Sequence, residues 1–210
     1  WDNLPREVQE LAIAPVLEGK SCVVLAPTAG GKTEAAFFPI LSRMDSEDWR
    51  PISLLYVAPI RALLNDQEER LTRLAGLVGR RAFKWHGDVG ASARRRFLDD
   101  PADILATTPE SLEVMLVSQR VPARRVFRNL KAVVVDEVHA FAGDDRGAHL
   151  TAVLERITRL CGTDPQRIGL SATVGNPEAI GRWLSGSSRR ELTVVDATQA
   201  RAADGVTADR

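Results

Sequence analysis

Ala26-Pro27-Thr28-Ala29-Gly30-Gly31-Lys32-Thr33 is the stretch on which the fold of this chain turns. The apolar run Cys22-Val23-Val24-Leu25 leads into it, and the helix-forming segment Glu34-Ala35-Ala36-Phe37-Phe38 leads out. Strand, small-residue loop ending in Gly-Lys-Thr, then helix is the phosphate-binding P-loop arrangement, with Ala26 where the general pattern has its first glycine. Small residues let successive backbone N–H groups turn inward around a polyphosphate, and the following helix points its positive end at the same place. Lys32 can then reach β- and γ-phosphates as a point charge, and Thr33 can offer its hydroxyl to Mg²⁺. A glycine-rich turn with an exposed lysine is the plainer alternative, but the strand before and the helix after argue against it. The expectation is a nucleoside triphosphate site.

Outward from this loop, short apolar runs alternate with helical patterns. Residues 6–18 read as a helix with Val8, Leu11, Ala12, Ile13, Val16 and Leu17 on a broad apolar face and Pro15 in its last turn. After the P-loop strand and its helix, residues 44–50 read as a polar loop. Strands are expected over 52–58, 81–85, 103–107, 132–135, 167–170 and 192–195. Helices are expected over 61–77, 91–98, 110–117, 147–160 and 178–184. The tail, residues 196–210, is rich in Ala, Asp and Thr without an apolar period and reads as linker or disordered. Strands that are apolar throughout are buried on both faces, as in a parallel sheet flanked by helices. Repeated strand–helix units make an α/β, doubly wound domain over residues 1–195, with ligands at the carboxyl ends of the strands.

A chain of 210 residues can bury a substantial core. Its 28 basic and 28 acidic side chains cancel, so any nucleic-acid-binding surface must be a local patch. Cys22 and Cys161 are expected to be reduced, buried thiols, and the bias of such chemistry is towards the cytoplasm. No apolar run approaches the ~18 residues of a membrane helix, and no basic-then-apolar signal segment is visible. The chain opens on Trp1-Asp2-Asn3 rather than methionine, which leads to the expectation of a fragment of something longer.

The second anchor is Asp136-Glu137-Val138-His139, which closes the β-branched run Ala132-Val133-Val134-Val135. An aspartate at a strand end can hold Mg²⁺, and a neighbouring glutamate can take a proton from an attacking water. With the P-loop, this pair resembles the first RecA-like motor domain of superfamily 2 DExH-box helicases, in particular the Lhr (large helicase-related) type. The resemblance covers about residues 1–195. It implies ATP and Mg²⁺ as cofactors, Ala26 to Thr33 as the nucleotide loop, Asp136 as metal holder together with Thr33, and Glu137 as the base. Ser171-Ala172-Thr173 is similar to the motif that links the ATP site to nucleic-acid movement. On that pattern its strand lies between the P-loop strand and the Asp-Glu strand, and His139 touches it.

The smaller motifs follow in the family's order. Gln9 is similar to the glutamine that reads adenine, an amide being able to pair with both a donor and an acceptor on one base edge. Trp1 either stacks on the base or caps the core. Pro59-Ile60-Arg61-Ala62-Leu63, then Gly87-Asp88, then Thr107-Thr108-Pro109-Glu110 resemble the family's nucleic-acid motifs. Hydroxyls, backbone N–H groups and an arginine at strand ends suit sequence-independent contact with a phosphate backbone. The arginines of 94–96 and Arg124, Arg125 and Arg128 read better as solvated helix faces than as part of such a path. His86 and His139 lack metal-ligand spacing.

The resemblance also implies a second RecA-like domain, whose Gln-x-x-Gly-Arg-x-x-Arg pattern is not in this sequence. The reading is therefore the ATP-binding motor domain of a DNA or RNA helicase or translocase that tracks a single strand. The alternative is an ATP-dependent nucleic-acid-binding switch that unwinds nothing. A small-molecule kinase would leave the Ser-Ala-Thr and Thr-Thr-Pro-Glu segments unexplained.

Overall fold

The five inner strands of a seven-stranded sheet are buried along their whole length and must be covered by helices on both faces, and this dictates the architecture. The computed structural model describes residues 5–27, 29–172 and 174–197. Trp1, Thr28, Thr173 and residues 198–210 lie outside the described residues. In chain order the elements are α1 (Glu7–Leu17), β1 (Ser21–Leu25), α2 (Lys32–Ser46), β2 (Leu54–Val57), α3 (Arg61–Gly76) and β3 (Ala82–Trp85). Then come α4 (Ala91–Asp99), β4 (Ile104–Thr107), α5 (Pro109–Val117), α6 (Ala123–Phe127) and β5 (Ala132–Val135). A short 3₁₀ turn (Val138–Ala140), α7 (Asp145–Cys161), β6 (Gln166–Ser171), α8 (Pro177–Ser185) and β7 (Leu192–Asp196) complete the order.

The strands pair in parallel in the order β3-β4-β2-β5-β6-β1-β7. Every strand therefore ends at the same edge, where the polar motifs follow. The third-motif strand, β6, lies between the P-loop strand β1 and the Asp-Glu strand β5, as the resemblance implied. Alternation along the strands sends Leu54, Tyr56 and Val134 into a core beneath α1, α2 and α3, and Leu55, Val57, Val133 and Val135 into a second core beneath α5, α7 and α8.

Local chemistry sets the helix starts. Thr108 accepts from the Ser111 N–H at 3.4 Å with Pro109 in the first turn of α5, and Asn176 accepts from Ala179 at 3.0 Å with Pro177 in the first turn of α8. Asp144 accepts from Gly147 at 3.0 Å and starts α7, which ends on Gly162 in a left-handed conformation.

Three expectations need correction. The stretch 44–50 is not simply a polar loop: α2 continues to Ser46, and Trp49 is buried with the Arg43 guanidinium 5.0 Å from its ring centre. The single turn α6 was not foreseen, being too short to show a period. The final strand runs to Asp196, one residue past the expected boundary. Of the two cysteines, both free, Cys22 is buried and its thiol is pushed up to about 12 by desolvation, whereas Cys161 is only half-buried. Among the described residues, no helix is long and apolar enough to cross a membrane.

Arg167 in β6 is 1% exposed yet satisfied on three sides. Its guanidinium donates to the Leu184 carbonyl at 3.0 Å and the Thr158 hydroxyl at 3.2 Å, and pairs with Glu155 at 2.9 Å. It ties β6 to α7 and α8. Arg167→Ala is expected to lower unfolding stability by about 1.5–3 kcal/mol in urea denaturation, because the Leu184 carbonyl, the Thr158 hydroxyl and the half-buried Glu155 lose a charged donor. A loss below about 1 kcal/mol would show that the arginine does not hold these elements together.

Candidate functional site

The nucleotide loop is shaped by backbone that only small residues accept. Gly31 has φ +88, and a Cβ there would sit 2.6 Å from Gln9 Nε2. A Cβ on Gly30 would meet the Pro27 carbonyl oxygen at 2.7 Å and the Ala26 Cβ at 2.8 Å. Ala29 adopts φ 61 and gives its carbonyl to the Arg6 guanidinium. Lys32 and Thr33 open α2 and are buried. The Lys32 ammonium donates to the carbonyl oxygens of Ala26 at 3.0 Å and Pro27 at 3.4 Å, and pairs with no carboxylate among the described residues. A buried cation with only carbonyls around it fits an incoming polyanion.

Gln9 stands beside this loop. Its Oε1 accepts the Arg6 N–H at 2.9 Å, closing the first turn of α1, while its amide nitrogen faces Gly31. With Arg6, Ile13, Phe38, Arg70 and Leu77, it lines a cleft of about 740 Å³. Glu34, in the first turn of α2, is held there by Arg70, whose Nε donates to it at 2.8 Å.

Across the edge, β5 delivers Asp136 and Glu137. Only β6 intervenes between β5 and β1, so the two loops emerge two strand spacings apart, about 10 Å. Asp136 is buried; its Oδ1 accepts the Glu137 N–H at 3.0 Å and its Oδ2 accepts the Tyr56 hydroxyl from β2. Burial first, then the Asp136 charge, pushes the Tyr56 phenol well above its usual range, so it remains a donor. Glu137 has φ 44, which turns its side chain out of the strand direction. His139 Nδ1 lies 3.1 Å from Ser171 Oγ and 3.4 Å from Glu137 Oε2, touching the end of β6 and the acidic turn together. No cluster of three His, Cys, Asp or Glu able to hold a metal occurs among the described residues.

The other motifs gather at the ends of β2, β3 and β4, around a cleft of about 600 Å³ lined by Pro59, Arg61, Gly87, Thr108 and Glu110 among others. Arg61 is not free in it: its guanidinium holds Asp88 through bonds of 3.1 and 3.0 Å. Pro109 is buried in the first turn of α5 and shapes the loop rather than facing the cleft. Arg94 departs from the expected solvated face. It donates to the carbonyls of His86 at 2.8 Å and Gly87 at 2.6 Å and lies 5.4 Å from the Trp85 ring centre, pinning the Gly87-Asp88 turn. Arg95, Arg96, Arg124, Arg125 and Arg128 are exposed, as expected.

Sequence reasoning passed over Tyr56, Arg6, Arg94 and Arg146. Tyr56 had a readable signal: it is the chain's single tyrosine, in an otherwise aliphatic strand, and a buried phenol needs a partner. Arg6 and Arg146 act on residues far away in the chain, and Arg94 on carbonyls that the β3–α4 turn folds back to it, none of which spacing encodes.

Fold and site together define a RecA-like P-loop nucleotide-binding domain. The profile of the DEAD/DEAH box helicase family matches residues 6–180, and the chain belongs to that family, as an Lhr-type RecA-like domain. It is 41% identical over 201 residues to the Lhr helicase/probable uracil glycosylase of Mycolicibacterium smegmatis, covering 88% of this chain but 13% of that protein. It is 36% identical to the ATP-dependent helicase Lhr-Core of Methanothermobacter thermautotrophicus, over 94% of this chain and 25% of the relative. Among solved structures, Mycobacterium smegmatis Lhr bound to ssDNA and AMP-PNP superposes with a TM-score of 0.80 at 41% identity, over 91% of this chain and 26% of that one. The helicase MrfA bound to DNA and AMPPNP superposes with a TM-score of 0.77 at 30% identity, over 90% of this chain and 26% of that one. The chain thus spans about a quarter or less of the length of these relatives.

Tyr56→Phe removes the phenol that holds Asp136 and leaves a buried carboxylate short of one donor. Unfolding stability at pH 7 is expected to fall by about 1.5–3 kcal/mol, as for hydrogen bonds to charged groups. An unchanged urea midpoint would show that the contact contributes nothing.

Proposed function

We propose that this chain is the ATP-binding motor domain of a helicase or translocase that moves along single-stranded nucleic acid. The observation that carries the reading is the meeting, at one sheet edge, of the Lys32 loop and the Asp136-Glu137 turn, with Ser171 between them and His139 touching it. The relatives held with ssDNA or DNA and an ATP analogue support both halves of the assignment.

Lys32 neutralises charge on the transferring phosphate, and the N–H groups of the loop and of the start of α2 cradle the others. Glu137, turned out of its strand, accepts the proton of the attacking water. Thr33 and Asp136 would hold Mg²⁺, which would supply charge neutralisation to the triphosphate. Gln9, braced against Gly31, reads the base edge. Pro59, Arg61, Gly87, Asp88, Thr108 and Glu110 form the cleft along which the phosphate backbone passes. A second RecA-like domain, elsewhere in the same protein, closes over the triphosphate and adds an arginine. This chain alone is therefore expected to hydrolyse ATP about 10³–10⁵-fold more slowly than the protein that contains it.

In that whole protein, Lys32→Ala is expected to abolish nucleic-acid-stimulated ATPase and strand displacement together. Strand displacement surviving the substitution would overturn the motor reading. ATP-dependent binding without displacement by the unmutated protein would instead establish a switch.

The Arg61–Asp88 pair gives a second expectation. Both side chains are mostly exposed, and such pairs contribute at most about 1 kcal/mol. Asp88→Asn frees the guanidinium and removes a negative charge from the cleft. Binding of a fluorescent oligonucleotide should tighten about two- to fivefold at low salt and converge on the unmutated value above ~0.5 M salt. Weakened binding at low salt would mean that Asp88 orients Arg61 rather than competing for it.

A further inference from the structure

The cleft at the ends of β2, β3 and β4 is assembled from three separate loops, and one side chain outside all of them spans two. Arg146, in the first turn of α7, donates through Nη2 to the Pro59 carbonyl oxygen and to Glu110 Oε1, the latter at 3.0 Å. Pro59 belongs to the connection from β2 to α3, and Glu110 to the first turn of α5 after β4. The same guanidinium lies 5.5 Å from the ring centre of Phe141, which is fully buried and follows the 3₁₀ turn that carries His139. Its neighbour Gly147 packs so closely on the Phe141 carbonyl that any side chain there would run into it. The segment from Asp136 to Gly147 is thus one folded unit, with Asp136 and Glu137 at one end and Arg146 at the other.

We infer that Arg146 is a positioning residue, holding the Pro59 and Glu110 loops at a fixed separation for contact with a nucleic-acid backbone and attaching both to the segment that carries the Asp136-Glu137 pair. The inference rests on the motor reading above and adds a residue to it. Geometry favours an arginine for this task. One planar fork reaches a carbonyl and a carboxylate while its face rests on an aromatic ring, whereas a lysine offers a point charge on a flexible stem. Glu110 is tuned to be the partner. Burial raises its carboxyl, but its own backbone N–H, Arg146 and Thr108 outweigh this and hold it below the usual carboxylate range, so it is charged when Arg146 meets it. Arg146 and Arg61 are both engaged with protein, Arg146 with Pro59 and Glu110 and the more exposed Arg61 with Asp88, but only the Arg146 bonds join two separate loops to a third element. The loops lie about 50 residues apart in sequence and are joined otherwise through the sheet, so this side-chain bridge fixes their tips.

The test uses the whole protein that contains this domain, with Arg146→Ala, Arg146→Lys and Glu110→Gln. Hydrogen exchange without nucleotide or nucleic acid reads the loops directly. Arg146→Ala should raise exchange at both 60–64 and 110–113, and Glu110→Gln chiefly at 110–113. Affinity for a single-stranded oligonucleotide should fall about tenfold for Arg146→Ala. The oligonucleotide concentration for half-maximal ATPase stimulation should rise by the same factor, while the KM for ATP changes less than twofold. Arg146→Lys should recover part of the Glu110 bridge and fall between. Unchanged exchange at both segments would overturn the inference, whether or not affinity falls, because a fall alone would make Arg146 a direct phosphate contact. Loosened loops with unchanged affinity would overturn it equally. If the unmutated protein itself failed to bind nucleic acid, the motor reading would fall and take this inference with it, while the exchange result would still report the bridge.

Discussion

The parallel ladder β1–β6–β5 is the constraint from which the site follows. Leu25 registers with Ser171, and Val135 with Gly169, so the P-loop, the serine and the acidic pair leave the sheet at nearly one level. Parallel pairing admits no shortcut: each crossover needs a helix, and each helix must bury a face on the sheet. The two cores are the consequence, since residues alternating along β2 and β5 serve opposite layers. Gly169 shows how tight this is, because a Cβ there would meet Val138 and Leu184 side chains at 3.0 Å. The turn bearing His139 can approach Ser171 only because β6 has no side chain at that point.

Much of this was legible in the chain. Apolar runs without alternation announced buried parallel strands, and the helix expected over 178–184 is there, starting at Pro177 under the Asn176 cap. The motif at Ser171 and its place between the two loops followed from a family resemblance, and the structure places them so. The remainder was hidden for a common reason. Arg167 reads as the polar start of a short strand, and nothing near it in sequence says that Glu155 and the Leu184 carbonyl will surround it. Arg94 looks like one member of a solvated triplet until the fold brings the Gly87 carbonyl to it. Trp49 sits in a polar stretch but packs against Arg43 of the preceding helix. A local pattern reports a local preference, whereas a buried or bridging arginine is defined by partners supplied by other elements.

The sheet edge divides into two electrostatic regimes. On the β1–β6–β5 side the polar groups are buried: Lys32, Thr33, Asp136 and Ser171 all have at most 8% of their surface exposed. Charge interactions between the buried Lys32 and Asp136 are weakly screened, while Glu137, with its side chain 32% exposed, reaches towards solvent beside them. Tyr56 joins the regimes, since it grows from β2 yet donates to Asp136.

On the β2–β4–β3 side the charged groups are open to water, with the side chains of Arg61 and Asp88 59% and 70% exposed. Ion pairs in such a place are weak and sensitive to salt, which would be a defect in a scaffold. On the proposed reading, in which this surface grips and releases successive phosphates, it is an advantage, because a strong fixed pair would have to be broken at every step. The scaffold beneath must then be fixed by other means. Arg94 pins the Gly87-Asp88 turn through two backbone carbonyls, and Arg146 bonds the Pro59 carbonyl oxygen as well as Glu110, so its hold on the loops does not rest on a partly exposed ion pair alone. On the same reading, contacts made to a phosphate backbone rather than to bases would let one cleft meet any base sequence, because every nucleotide presents the same charge.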